Sequence, residues 1–380
     1  MRIAVSGGGI AGLAAALAAL RAGHDVQLIT GGTAPTPIIG GVQIAPNGWD
    51  ALSTLGIADA LLPDANSLAN ITLRDLASGA TLALLDLDGP YTSIDRGALI
   101  RCLDRAVTAK KRSIRHVARI TDLVDHGPAK GLQIRLDSAD VITADALIAA
   151  DGVRGFGRAY VNSKFDPVTS SPDSKARVAL RTIIDTANLP AFFRRSHVNL
   201  WLGNGAHMVH YPLEDGALVN CVVTCGMSLA NNNWQDRVLR LNPVLACLAD
   251  TPGVSWVKTR LPVDDFECCW RRGRVVLTGD AAHPMPPNLA QGAGQSLVDA
   301  ACLQSCLSEP SLDAEAALSA YARTRSATTG RIMAKAQTSS KIMALARGGA
   351  VMRNIAFGIG GETLLTSWLA EVWQTTEMSP

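Results

Sequence analysis

Three glycines near the start of the chain, Gly7-x-Gly9-x-x-Gly12, restrict the fold more than any other feature of the sequence. They stand between a short β-prone run at 2–5 and an Ala/Leu-rich stretch that reads as a helix to about Ala22, and a second apolar run follows at 26–29. Strand, turn, helix and parallel strand make one βαβ unit. In such a unit Gly7 permits the tight turn, Gly9 lets a pyrophosphate approach the backbone, and Gly12 lets the helix pack closely on the strand. The helix N-terminus adds N–H groups and the positive end of its dipole. Glycine spacing alone marks only a tight turn; the strand before it and the helix after it are what point to a dinucleotide.

The usual partner of this turn is an Asp or Glu at the end of the second strand, accepting hydrogen bonds from the adenosine ribose. Here the position is Thr30. A neutral hydroxyl gives up the charge-assisted contact, so looser adenosine binding is expected. Asp25 comes before the strand and is a poor substitute by position.

At 380 residues the chain is long enough for two cores. Its 35 basic and 33 acidic residues leave no global field that favours nucleic acid or an anionic membrane, which points to a small-molecule client. The eight cysteines lack paired metal-ligand spacing and read as reduced core thiols of a cytoplasmic protein. The apolar run at 10–20 is preceded by a single basic residue, Arg2, and three glycines interrupt the approach, so it reads as fold and not as a secretion signal. No run reaches the ~20 uninterrupted apolar residues of a membrane span.

Further along, 71–87 reads as a hairpin turning at Ser78-Gly79, and a helix is expected from Asp95, as its N-cap, through Val107. Strand-like runs fill 176–223 with few helical signals between them. An apolar strand returns at 274–278, and helices are expected over most of 291–307 and 312–346. The implied architecture is α/β: a discontinuous Rossmann-like nucleotide domain (1–70, 90–165 and 270–310), an inserted β-sheet substrate domain (71–89 and 166–269) and a helical C-terminal segment (311–380).

A second chemical element follows the strand at 275–278. Gly279-Asp280-Ala281-Ala282-His283 continues through Pro284, Pro286 and Pro287 to Gln291-Gly292-Ala293-Gly294 and a helix. An Asp beside a glycine at a strand end can reach a sugar hydroxyl, and a glycine-rich helix start presents N–H groups to a negatively charged ring or phosphate. Here the sequence resembles the class A FAD-dependent aromatic hydroxylases, the salicylate, hydroxybenzoate and hydroxynicotinate monooxygenases. The resemblance implies that Gly279-Asp280 contacts the ribityl chain of FAD, that Gly292, Ala293 and Gly294 face the pyrimidine edge of the flavin, and that Pro287 belongs to the same cofactor-side segment. Asp151-Gly152-Val153-Arg154 is similar to the Asp-Gly motif associated with FAD and the nicotinamide reductant, and Asp95-Arg96-x-x-Leu99 to a helix start whose arginine contacts the cofactor. Gly155 stands where many relatives have Ser.

The resemblance also implies the reaction: NADH or NADPH reduces FAD, O₂ adds to the flavin, and the resulting C4a-hydroperoxide hydroxylates a small aromatic or heteroaromatic substrate. The protein itself has to orient that substrate and exclude water. Gly40-Gly41-Val42-Gln43-Ile44 resembles the loop beside the flavin ring, and 207–212 the sheet strand facing it. Alternation puts His207, Val209 and Tyr211 on one side and Met208 and His210 on the other. The Tyr211 face is the preferred one, with the tyrosine as hydrogen-bonding wall, His207 exchanging a proton near neutrality, and Gln43 nearby. His210 is the reserve if a bulge reverses the register. His283 is expected to be structural or close to the flavin, and Arg181, Arg194 and Arg195 are candidates to attract a carboxylate.

No Cys precedes Cys102, which argues against a flavin disulfide reductase, and the seven scattered tryptophans give no halogenase motif. A nicotinamide dehydrogenase leaves 279–294 unexplained. The remaining alternative is an FAD-binding protein of the same fold that sequesters a ligand or serves as a scaffold without hydroxylating it. A monomer or homodimer is expected.

Overall fold

The structure is a computed structural model describing residues 1–31, 40–162, 176–261 and 268–373. The boundary at 165–166 therefore lies outside the described residues, as do residues 374–380.

The first sheet has six strands in the order Arg271–Arg272, Val275–Leu277, Ala146–Ala149, Arg2–Ser6, Asp25–Ile29, Ser113–His116. All neighbours are parallel except the edge pair 271–272. A parallel sheet is covered on both faces, and its strands alternate accordingly. Ile3, Val5, Leu28, Ile148 and Val276 pack on the helices Ile10–Arg21, Arg96–Thr108 and Gly292–Ser308. Ala4, Ile29, Leu147, Ala149 and Leu277 pack on an antiparallel meander, Ile120–Asp125, Leu132–Leu136 and Val141–Ala144. The helix Arg96–Thr108 begins where Asp95 accepts a hydrogen bond from Ala98 N at 2.8 Å, an N-cap legible in the sequence.

The second sheet has seven strands: Val257–Arg260, Arg177–Asp185, Leu218–Gly226, His207–Leu213, His197–Leu202, Asn70–Asp75 and Thr81–Asp86. Its last two strands come from early in the chain. They form the hairpin, turned by Gly79 at φ +77° and by the Asp75 carboxylate accepting from Ser78. One face buries Val178, Leu180, Trp201, Met208, Cys221 and Val223 with the helices Trp234–Val238 and Pro243–Asp250. The other face carries His207, Val209 and Tyr211.

Two long helices end the described residues. Ala314–Met343 starts at Asp313, which accepts from Ala316 N, and Gly348–Trp373 is broken at Gly360. Among the described residues no single helix is long and apolar enough to cross a membrane; these two pass such a test only together, and the chain bends by 114° between them.

Candidate functional site

The glycine turn is built as a cradle. Gly7 has φ +119°, and a Cβ there would stand 2.2 Å from the Ala150 carbonyl oxygen. A Cβ on Gly12 would lie 2.0 Å from the carbonyl oxygen of Gly7, so both positions exclude any side chain. Gly9 is different: a Cβ there meets nothing within 4 Å, because Gly9 faces open space. The helix that follows has no side-chain cap and no acidic residue in its first turn, leaving its free N–H groups available to an anion.

Gly9 and its neighbours open onto a cavity of about 570 Å³. From the first half of the chain it is lined by Gly41, Gln43, Tyr91, Arg96 and Gly152, and from the second element by Asp280, Pro286, Pro287, Gly292 and Ala293. The helix Gly292–Ser308 also starts without a side-chain cap or first-turn acid, so two helix N-termini point at one space. A buried polar atom without a partner, Arg96 Nε, borders it. An elongated, multiply charged dinucleotide fits this donor set, and the residues present fit FAD.

Some of the expected cofactor residues stand back from the cavity. Gly7, Gly12, Gly279 and Gly294 shape the backbone without lining it. Thr30 ends its strand with its amide on the His116 carbonyl (2.9 Å) and its methyl against Gly8, and it too lies outside the cavity lining. Asp151 turns its carboxylate back onto Gly157 N at 2.9 Å, and burial raises its pKa. This fold-back depends on Gly155, where a Cβ would lie 2.1 Å from the Asp151 carboxyl carbon. The glycine that replaces the usual serine thus has a steric reason.

The pocket face of the second sheet carries His207, Val209 and Tyr211, with Val222 and Thr224 on the strand beside them and Arg181 on the strand beyond. Tyr211 Oη donates to the Gly41 carbonyl at 2.8 Å, so it forms a wall with a committed proton rather than a free donor. Gln43 is beside it, its side-chain oxygen accepting from Tyr91 Oη at 2.8 Å. His207 is 3% exposed. Burial, followed by the charges of Arg177 and Arg353 and only partly offset by neighbouring Asn288, pushes its pKa down to about 3. The expectation that it exchanges protons near neutrality is therefore corrected: it is a neutral imidazole.

His210 is corrected as well. The pairing of 207–213 with 218–224 runs without a bulge, so His210 faces the opposite core, packed against Phe192, Phe193 and Trp201. Arg194 donates to the carbonyl of Thr186 at 2.6 Å, and neither it nor Arg195 lines the cavity; Arg181 does. His283 is structural, hydrogen-bonded through Nε2 to the buried Asp299 at 2.6 Å.

The C-terminal segment carries no legible motif, yet it supplies an entire wall: Ile342 and Met343 from one helix, and Phe357, Leu365, Trp368 and Leu369 from the next. Asn288 was also missed. The only signal for it was its place between Pro287 and the glycine-rich helix start.

A dinucleotide cradle that shares one cavity with the inner face of a separate, largely antiparallel sheet is the arrangement of an FAD-dependent monooxygenase. Residues 1–336 match the family described as an FAD binding domain, and the chain belongs to that family. It is 31% identical to a 3-hydroxybenzoate 6-hydroxylase of Klebsiella oxytoca, over 88% of this chain and 86% of the relative. It is also 31% identical to the 3-amino-4-hydroxybenzoate 2-monooxygenase PtmB3 of Streptomyces platensis, over 85% and 84%. Among solved structures, Klebsiella pneumoniae HpxO with FAD and uric acid superposes with a TM-score of 0.81 at 19% identity, covering 98% of this chain and 97% of that one. A salicylate hydroxylase substrate complex gives 0.77 at 22% identity, with 99% and 98% covered. At these identities the solved structures speak for the fold.

Proposed function

We propose that the chain hydroxylates a small aromatic or heteroaromatic compound bearing a hydroxyl or ring N–H group, using NAD(P)H and O₂. The observation that carries this reading is a pair of neighbouring uncharged polar side chains in a largely apolar cavity. His207 Nδ1 and both amide atoms of Asn288 are buried with no partner at ordinary hydrogen-bond distance, at a cavity whose lining also holds Leu200, Leu202, Val209, Leu365, Arg181 and Trp368, the last with its Nε1 likewise unpartnered.

Unpaired buried polar groups cost about 1–3 kcal/mol each, which a ligand supplying the missing partners recovers. A neutral imidazole offers one donor and one acceptor, and an amide offers both as well. Together they suit a group that donates and accepts at once, such as a phenol or a hydroxylated nitrogen ring. Names of the curated relatives, a hydroxybenzoate and an aminohydroxybenzoate hydroxylase, support a ring with such a substituent.

Bound FAD supplies the redox and oxygen chemistry. The residues of this chain do the rest. Gly9 and the two open helix starts receive the cofactor's negative charge, and Arg96 stands at the same wall. His207 and Asn288 orient the substrate's polar edge, Tyr211 and Gln43 fix the loop beside the ring, and the apolar walls keep water out. The division into a discontinuous FAD domain, an inserted sheet domain and a C-terminal segment is part of this proposal; the segment serves as a wall of the substrate chamber.

The test is ligand perturbation of the flavin spectrum of the FAD-loaded protein. Phenols and hydroxypyridines are expected to bind at least about tenfold more weakly to the His207→Leu variant. Equal affinities for both proteins would overturn the assignment of the polar edge.

A further inference from the structure

One buried hydrogen-bond chain runs beneath the cavity and takes no part in the chemistry above. It starts at Asp299, which is fully buried. Its Oδ2 accepts from Gly279 N (3.0 Å), Thr278 Oγ1 (3.1 Å) and His283 Nε2 (2.6 Å), and its Oδ1 from Arg325 Nε (2.8 Å). Arg325 Nη2 then donates to Gln295 Oε1 at 2.6 Å, and Gln295 Nε2 to Gln291 Oε1 at 2.9 Å. Asn47 Nδ2 donates to that same Gln291 oxygen at 2.9 Å and to the carbonyl of Val372 at 3.3 Å. Asn47, Gln291, Gln295 and Arg325 are each at most 2% exposed.

The chain has a fixed polarity. A guanidinium can only donate, so Gln295 must present its oxygen to Arg325 and its nitrogen to Gln291. Gln291 must then present its oxygen, and Asn47 its nitrogen. That nitrogen is what reaches the carbonyl of Val372, in the last described turn of its helix. Turning over any one amide breaks at least two bonds and leaves buried groups unpaired.

Both ends bear on the cavity. Gly279 and Gln291 directly precede Asp280 and Gly292 on the cofactor side, and Val372 lies on the helix that contributes Trp368 and Leu369 to the opposite wall. We propose that Asn47 and Gln291 are positioning residues that couple the cofactor-facing helix start to the C-terminal wall, so that the wall docks fully when the cofactor side is in place. This rests on the cavity being the substrate chamber.

The experiment is amide hydrogen exchange over residues 365–373 in the full-length protein with and without FAD, for the wild type and Asn47→Ala. FAD should slow exchange there by about tenfold or more in the wild type and by no more than about threefold in the variant. FAD affinity should stay within about threefold, while KM for the aromatic substrate rises about tenfold with kcat nearly unchanged. A general structural defect would lower FAD affinity and kcat as well.

Asn47→Leu keeps the branched side-chain shape and removes the donor without adding a charge, at the cost of the acceptor for Gly48 N, which Asn47 Oδ1 meets at 2.9 Å. It is the same test if the alanine variant does not fold. Equal FAD protection in a folded variant, or none in the wild type, would overturn the coupling. The exchange measurement needs no substrate, so its failure leaves the hydroxylase reading standing.

Discussion

Tyr211 holds Gly41 in place: its hydroxyl donates to the Gly41 carbonyl at 2.8 Å, and a Cβ on Gly41 would lie 2.8 Å from the Tyr211 ring. Asn220, directly opposite Tyr211 on the next strand, accepts from Gly41 N at 2.8 Å. One cross-strand pair of the second sheet thus fixes both backbone groups of Gly41. Tyr211→Phe should leave FAD affinity within about threefold, lower stability by about 1–2 kcal/mol and cut kcat/KM by roughly tenfold. Gly41→Ala should cost more, because it displaces the ring itself. Denaturant midpoints and steady-state rates check both.

The glycines of the turn should separate in their effects. Gly12→Ala drives a methyl into the Gly7 carbonyl and is expected to lower stability by about 3 kcal/mol or more. Gly9→Ala meets no protein atom, so the fold should survive while FAD affinity falls by about tenfold or more. Thermal melts of the apoprotein and flavin fluorescence titrations distinguish the two; equal melting losses would mean that Gly9 has no special role toward the ligand.

Acid should destabilise the protein through its buried histidines. His207 and His210 are both held down to about 3 in the folded state, His210 by burial and the charge of Arg74. In the unfolded chain they protonate near the ordinary 6.5. The unfolded state therefore binds more protons below that value: the stability is present above pH 6.5 and is lost as pH falls toward 3. His210→Phe, within its aromatic cluster, removes one of these terms. Its stability relative to wild type should rise by about 3 kcal/mol between pH 7 and pH 4. A pH-independent difference would contradict the assignment.

Thr30→Glu should tighten FAD binding by about three- to tenfold, since a carboxylate at this strand end can accept from ribose hydroxyls with charge assistance. Flavin fluorescence quenching measures it. Unchanged affinity would show that Thr30 does not face the ribose.

What could be read from the sequence was local in origin. The Gly7 turn, the Asp95 cap, the Ser78-Gly79 hairpin turn and the alternation that sets His207 and Tyr211 against His210 depend on residues within a few positions of each other. Protonation was not legible, because the neutrality of His207 comes from burial and from Arg177 and Arg353, which are distant in sequence. The wall made by Phe357, Trp368 and Leu369 was equally hidden: an apolar helix residue looks the same whether it meets the core, solvent or a ligand. The pairing of Asp299 with Arg325, and of Asn47 with Gln291 across 244 positions, arises only when helices pack.

The central claim is best tested by incubating the FAD-loaded protein with NADH or NADPH, ¹⁸O₂ and a panel of phenols and hydroxylated nitrogen heterocycles, following reductant consumption and product mass. The account predicts that at least one ring compound accelerates flavin reduction and gains a single ¹⁸O atom, and that His207→Leu loses most of that stimulation. Tight FAD binding with no compound in the panel stimulating reduction or gaining oxygen would contradict it and favour a ligand-binding flavoprotein.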